Sequence, residues 1–117
     1  KEAPLATEET LARVHDAGYV RDVLESIPAS GFVQFDGDTI GSPGTGEAVL
    51  RAAGALTHGV DLVMSGEARN VFCAVRPPGH HAEPDRAMGF CLFNNVAVGT
   101  EHARAVHGLK RVAVMDR

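Results

Sequence analysis

RPPGHHAEPDRAMGFCLFNN, residues 76–95, is the stretch on which the reading of this 117-residue chain turns. Pro77 and Pro78 fix the backbone approach, Gly79 permits a bend, and His80 and His81 follow as adjacent imidazoles. On its two sides lie VFCAV (71–75) and RVAVM (111–115), short and wholly apolar, the pattern of strands buried on both faces. Between the loop and the second run, residues 93–107 read as a helix, capped by Asn94 or a neighbour and ended by Gly108. Strand, loop, helix, strand is a right-handed crossover, which predicts an α/β fold with the two strands parallel and adjacent. Ligands collect at the carboxyl ends of such strands. The first strand runs into the histidine loop and the second delivers Asp116. With strands about 4.8 Å apart, a carboxylate there reaches an imidazole.

Upstream, TEETLARVHDAGYVRDVLESI (7–27) reads as two short helices hinged near Gly18 and stopped by Pro28. Thr7, followed by Glu8 and Glu9, suits a helix start. Residues 31–46 hold five glycines and Pro43, which predicts a loop with turns. A long helix follows from Thr45, a cap, to Ser65, with Gly66 beyond its end. Val49, Ala53, Leu56, Val60 and Val63 give it an apolar stripe.

The hydrophobic share of 44% and charged share of 22% are those of an ordinary globular protein. The net charge of −4 carries no basic footprint for nucleic acid. No apolar run approaches the roughly 20 residues of a membrane-spanning helix. Two cysteines, Cys73 and Cys91, argue against a disulfide framework and for a reducing compartment, hence a cytoplasmic location. The chain opens on Lys1 and closes just past an apolar run, so it is expected to be part of a longer domain.

His80 and His81 carry the chemistry if the rigid loop turns both rings into one site, where different partners divide acid and base work. A bare His-His pair is more often a surface feature of a turn; the Pro-Pro-Gly approach and the converging Asp116 favour function. Asp116 would orient a catalytic imidazole by accepting its N–H, or merely cap a following helix. Cys91 allows a Cys-His thiol nucleophile, against the plainer reading of a small buried hydrophobe. Phe90 and Phe93 suit a channel lining or the core. His15, His58, His102 and His107 read as surface or structural residues on helices, without carboxylate or cysteine patterns beside them. GSPGTG (41–46) lacks the Lys-Ser/Thr ending of a phosphate loop.

RPPGHHA, GFCLFNNVAV and RVAVMD, with weaker matches in VHDAGYV and DTIGSPGTGEA, resemble the histone deacetylase superfamily, especially its class II and bacterial amidohydrolase-like members. The resemblance covers nearly the whole chain and implies the amino-terminal portion, residues 1–117, of a single deacetylase-like domain with an arginase-like three-layer fold and a parallel sheet. It implies zinc-dependent hydrolysis of an acyl-lysine or a related acylated amine. By resemblance, His80 and His81 are the tandem acid/base imidazoles, and Asp116 pairs with the first of them and helps hold a structural K⁺. Gly89 and Phe90 line the acyl-lysine tunnel and Cys91 lies at its floor. The family's zinc ligands fall in and after an Asp-x-Asp-x-His run that begins at the position of Asp116, so the Zn²⁺ ligands are not in this chain. The chain alone is therefore expected to bind zinc poorly and to be inactive. Arg117 stands where the family usually has an apolar or aromatic residue. Three rivals remain open: an acetylpolyamine or other small-molecule amidohydrolase, a non-catalytic module that self-associates through an exposed strand edge, and a thiol hydrolase.

Overall fold

Thr7 accepts a hydrogen bond from the Thr10 amide and starts α1 (Glu8–Leu11), with Glu8 and Glu9 in the first turn. The computed structural model describes residues 1–117 throughout. Asp16 caps α2 (Ala17–Glu25) in the same manner, accepting from the Tyr19 amide. The break between the helices thus lies at residues 12–16 rather than at Gly18, which sits inside the first turn of α2. Asp16 decides this, because a side-chain cap fixes where a helix begins more firmly than a permissive glycine does.

The glycine-rich stretch expected to be loop contains a hairpin, β1 (Val33–Asp36) and β2 (Thr39–Gly41), paired antiparallel with an irregularity between Gln34 and Asp36. Its alternation is only a few residues long, so the flanking glycines mask it. Phe35 packs on the core, and Gly41 lets it lie close: a Cβ at 41 would stand 2.9 Å from the Phe35 ring.

The long helix α3 (Thr45–Met64) begins one residue after its cap, Gly44. Thr45, expected as the cap, instead accepts from the Ser42 amide at 2.8 Å. Val49 and Ala53 of the expected stripe are buried, while Val63 is exposed. Ala52, Gly54, Thr57 and Gly59 are buried as well, so the covered face is broader than one stripe. Residues 1–6 lie along one side of α3 and α4 (Asn95–His107) along another. Ala6 donates to the Leu50 carbonyl at 2.9 Å, and Gly99 of α4 brings its backbone onto Leu56. Helix α4 starts and stops as its sequence indicates: Asn94 accepts from the Ala97 amide at 3.0 Å, and Gly108 closes the helix at φ 70°.

The parallel pair expected from 71–75 and 111–115 is not formed. Neither run makes a backbone–backbone hydrogen bond, and both are largely exposed; Phe72 is 91% and Met115 99% accessible. Apolar runs without alternation report that a segment wants covering on both sides, not that a neighbour is there to pair with it. Each run covers one side only. Val71 and Cys73 lie against Gly59 of α3, and Val114 and Met115 line a groove with Val96 and Ala97 of α4. No helix is long and apolar enough to cross a membrane.

The core joins Leu11, Val20 and Val23 from α1 and α2 with Val49 and Ala53 of α3, Leu92 and Phe93 of the loop, and Val98 of α4. Within it stands His15, which lies between α1 and α2 rather than on a helix and is 3% exposed. Its ring packs beside Tyr19 and Phe93, with centroids 5.5 Å from each. The Asn94 amide donates to Nε2 at 2.9 Å, so Nδ1 carries the proton and donates to the Pro84 carbonyl at 3.2 Å. Burial holds the pKa of His15 below the ordinary histidine value, against an opposing contribution from its hydrogen bonds to the Pro84 and Glu83 backbone.

Two consequences are measurable. The unfolded chain takes up a proton at His15 below pH about 6.5, and the folded chain resists it. Stability from this group is therefore complete above that pH and is lost as pH falls below it. In urea titrations between pH 7.5 and 5, the gap in unfolding free energy between the native chain and His15→Gln should narrow as pH drops; a constant gap would contradict the assignment. Separately, a Cβ at Gly54 would stand 1.9 Å from the Pro4 carbonyl oxygen. Gly54→Ala should lower stability by about 1–3 kcal/mol despite its better helix propensity, and an unchanged denaturation midpoint would show that residues 1–6 simply move aside.

Candidate active site

Gly79 to Asn95 forms the site, and main-chain contact builds it. Residue 79 must be glycine, because a Cβ there would lie 2.4 Å from the Asn95 amide and 2.5 Å from the Phe93 carbonyl. The peptide between Arg76 and Pro77 is cis. Asn95, 5% exposed, donates from Nδ2 to the Pro77 carbonyl at 3.3 Å, and Asn94 donates from Nδ2 to the Ala82 carbonyl at 3.2 Å. Two asparagines at the head of α4 thereby hold both sides of the histidine pair.

From the opposite side, Tyr19 donates its hydroxyl to the Leu92 carbonyl at 2.6 Å, and Asp16 donates its amide to the Pro84 carbonyl at 2.9 Å. Burial, reinforced by the charge of Asp85, pushes the Tyr19 phenol up to about 12, so it remains a donor. Met88 and Cys91 exchange amide–carbonyl bonds across a tight turn in which Gly89 and Phe90 both have positive φ, 58° and 66°. Two successive residues of that kind make a type I′ turn, unfavourable for phenylalanine at its second position. The Thr39 hydroxyl, brought by β2, accepts the Phe90 amide at 3.1 Å and helps hold it.

His80 and His81 stand with ring centroids 4.3 Å apart at 67° to one another. Nδ1 of His80 lies 3.1 Å from Oδ2 of Asp116. His80 borders the groove between α4 and residues 114–116, with Thr100 and Glu101. His81 turns toward a cleft lined by Asp36, Gly37 and Asp38 of the hairpin turn, with Met88 and Gly89. A Cβ at position 89 would be 2.6 Å from the His81 ring, so only glycine allows this packing. The adjacent imidazoles therefore have different surroundings, one ion-paired to Asp116 and the other packed on the Gly89 main chain at a cleft that Asp36 and Asp38 also line.

Phe90 is 64% exposed and sits near Pro77 and Pro78 at the rim of a second cleft. Cys91 is fully buried, and Sγ donates to the Gly89 carbonyl at 3.3 Å. Burial raises its thiol pKa, outweighing the backbone donors of His81 and Ala82. A thiol held protonated and out of reach of solvent is no nucleophile, which removes the thiol-hydrolase rival.

At the tandem histidines no three ligand atoms converge, and His80 spends Nδ1 on Asp116. A catalytic zinc requires about three protein ligands around an open position, and these residues do not supply them. The single place where three ligand-type side chains converge is elsewhere: Asp61 on α3 with His102 and His107 on α4. The sequence reading, which found no carboxylate near those histidines, is corrected here; Asp61 lies 41 and 46 residues away along the chain. Thr39 and Asn95 carry no assignment from sequence, and His15 proves to be the structural rather than the surface residue of its two readings. Their partners are 18 to 79 residues distant, and no local pattern marks such contacts.

The family profile described as "Histone deacetylase domain" matches residues 1–117. A histone deacetylase-like amidohydrolase of Pseudomonas aeruginosa is 43% identical over 116 residues, covering 99% of this chain and 30% of that protein. The human polyamine deacetylase HDAC10 is 42% identical over 119 residues, covering 95% of this chain and 17% of its own length. Among solved structures, the HD domain of HDA15 superposes with a TM-score of 0.84 at 35% identity, covering 91% of this chain and 30% of that one. The chain thus spans less than a third of each of these relatives. With a family profile matched from end to end and a shared architecture at substantial identity, this chain belongs to the histone deacetylase family and has its α/β arginase/deacetylase fold.

Proposed function

We propose that residues 1–117 are the amino-terminal portion of a single zinc-dependent amidohydrolase domain that removes acyl groups from acyl-lysine or a related acylated amine. The observation that carries this is the 3.1 Å approach of His80 to Asp116 beside a second, differently placed imidazole, His81. Asp116 accepts the Nδ1 proton of His80, which fixes the tautomer and leaves Nε2 as the base. His81 makes no ion pair and is positioned against the Gly89 main chain to act on the leaving amine. Gly89 keeps the passage open, exposed Phe90 flanks the aliphatic stem of the substrate, and buried Cys91 closes its floor.

Zinc, when held by residues beyond this chain, acidifies a water and polarises the acyl carbonyl. Asp116 also contributes to a structural K⁺ site in this reading. The two cysteines are unpaired, which supports a cytoplasmic location. A polyamine substrate remains the alternative within the class, since a relative carries that activity in its name.

In the whole domain, assayed on an acetyl-lysine peptide and on an N-acetylpolyamine, His80→Ala should lower kcat/KM by about 10²–10⁴. Asp116→Asn should lower it by about 10–100-fold. Activity surviving both changes would remove the acid/base assignment, and the preferred amine settles the substrate class. The 117-residue chain by itself should hydrolyse neither substrate, with or without added zinc. Turnover by this chain would show that its own residues suffice. The exposed runs at 71–72 and 112–115 also suit a self-associating, non-catalytic module. A monodisperse dimer by light scattering, together with an inactive whole domain, would favour that second reading.

A further inference from the structure

At the far end of the α3–α4 contact, away from the tandem histidines, Oδ1 of Asp61 lies 2.7 Å from Nε2 of His102 and 2.7 Å from Nε2 of His107. The three ligand-type atoms all fall within 4.8 Å of one another. The side chains of His102 and His107 are 13% and 23% exposed and that of Asp61 is 47% exposed, so the imidazoles are held while one side stays open to water. We propose that Asp61, His102 and His107 form a binding site for a divalent transition-metal ion, with Zn²⁺ the leading candidate, that ties the carboxyl-terminal end of α3 to that of α4.

The donor set, the close approach of its three ligand atoms and the helix ends support this. Two imidazoles and one carboxylate are the ligand chemistry of zinc, cobalt, nickel and copper, not of the all-oxygen sites preferred by calcium and magnesium. Three protein ligands with water in the fourth position satisfy tetrahedral zinc. At metal–ligand distances of about 2.0–2.1 Å, the ligand atoms stand roughly 3.3 Å apart. The two 2.7 Å contacts therefore need to open by only about half an ångström. Asp61 is three residues before the end of α3 and His107 is the last residue of α4, so both negative helix ends point at the site and favour a cation.

Nδ1 of His102 is buried without a partner. Metal at Nε2 would place the ring proton on Nδ1, a cost that the three-ligand set has to offset. This site is independent of the deacetylase reading and differs from the expectation that the chain binds zinc poorly, which considered only catalytic ligands.

Titrating the 117-residue chain with ZnCl₂, and with CoCl₂ for its visible absorption bands, tests the site. One equivalent should bind, the cobalt spectrum should be that of a tetrahedral or five-coordinate N/O site, and zinc should raise Tm. Asp61→Asn and His107→Ala should each weaken binding by about tenfold or more and abolish the Tm rise. His80→Ala should leave affinity unchanged. Because His102 is packed between helices, its Ala variant is read only where circular dichroism shows native helicity, and His102→Gln serves as the second variant. Equal affinity in native and Asp61→Asn chains, loss of binding on His80→Ala instead, or no saturable binding by the native chain would each overturn the proposal.

Discussion

Everything about the site depends on how a loop without regular secondary structure is kept in one shape. Residues 76–94 have few ladder bonds of their own, and loops of that length pay heavily in conformational entropy. The constraint comes from outside the loop. The neutral ring of His15 receives the Asn94 amide on one nitrogen and gives a proton to the Pro84 carbonyl with the other, while the Tyr19 phenol holds the Leu92 carbonyl. Two side chains from the first helical segment thus saturate main-chain groups at three points of the loop. Asn94 and Asn95 complete the frame from the other side. Phe93, packed beside both His15 and Tyr19, makes the polar clamp continuous with the apolar core.

The sequence disclosed those parts of this arrangement that depend on neighbours along the chain. The caps at Thr7 and Asn94, the end of α4 at Gly108 and the extent of α3 are local events, set within a turn by hydrogen bonds and backbone freedom. The special loop was legible because prolines, a glycine and paired histidines have few uses in common. The hairpin at 33–41 was hidden because its alternation is shorter than the glycine-rich composition around it. The parallel pair was over-read: continuous apolarity at 71–75 and 111–115 records a demand for cover, and this chain supplies one side of it. Thr39 and Asp61, and the partners of His15, are hidden for the same reason. Each acquires its role from a partner dozens of residues away.

Two pairings of imidazole with carboxylate occupy opposite ends of α4, and they differ in kind. At the amino-terminal end, His80 meets Asp116 through one nitrogen, and the adjacent His81 makes no ion pair. At the carboxyl-terminal end, one oxygen of Asp61 serves two rings at equal distance. Burial works to raise the Asp61 carboxyl, but the hydrogen bonds from His107 and His102 and their charge together carry it below the usual carboxylate range. An asymmetric arrangement suits moving a proton between unlike groups, whereas a symmetric one suits holding something between like groups. The same residue types therefore serve different ends according to how the helices present them.

The closeness of Gly89 to His81 restricts motion as well as packing. The Gly89 backbone lies so close that a Cβ there would stand 2.6 Å from the ring, so the imidazole has no room to turn toward that peptide. The exposed side of the ring faces the hairpin cleft, and protons come and go from that side. The tight turn at 88–91 is thus a backstop: its main chain bars one side of the ring, while the His80 ring stands 4.3 Å away, centroid to centroid.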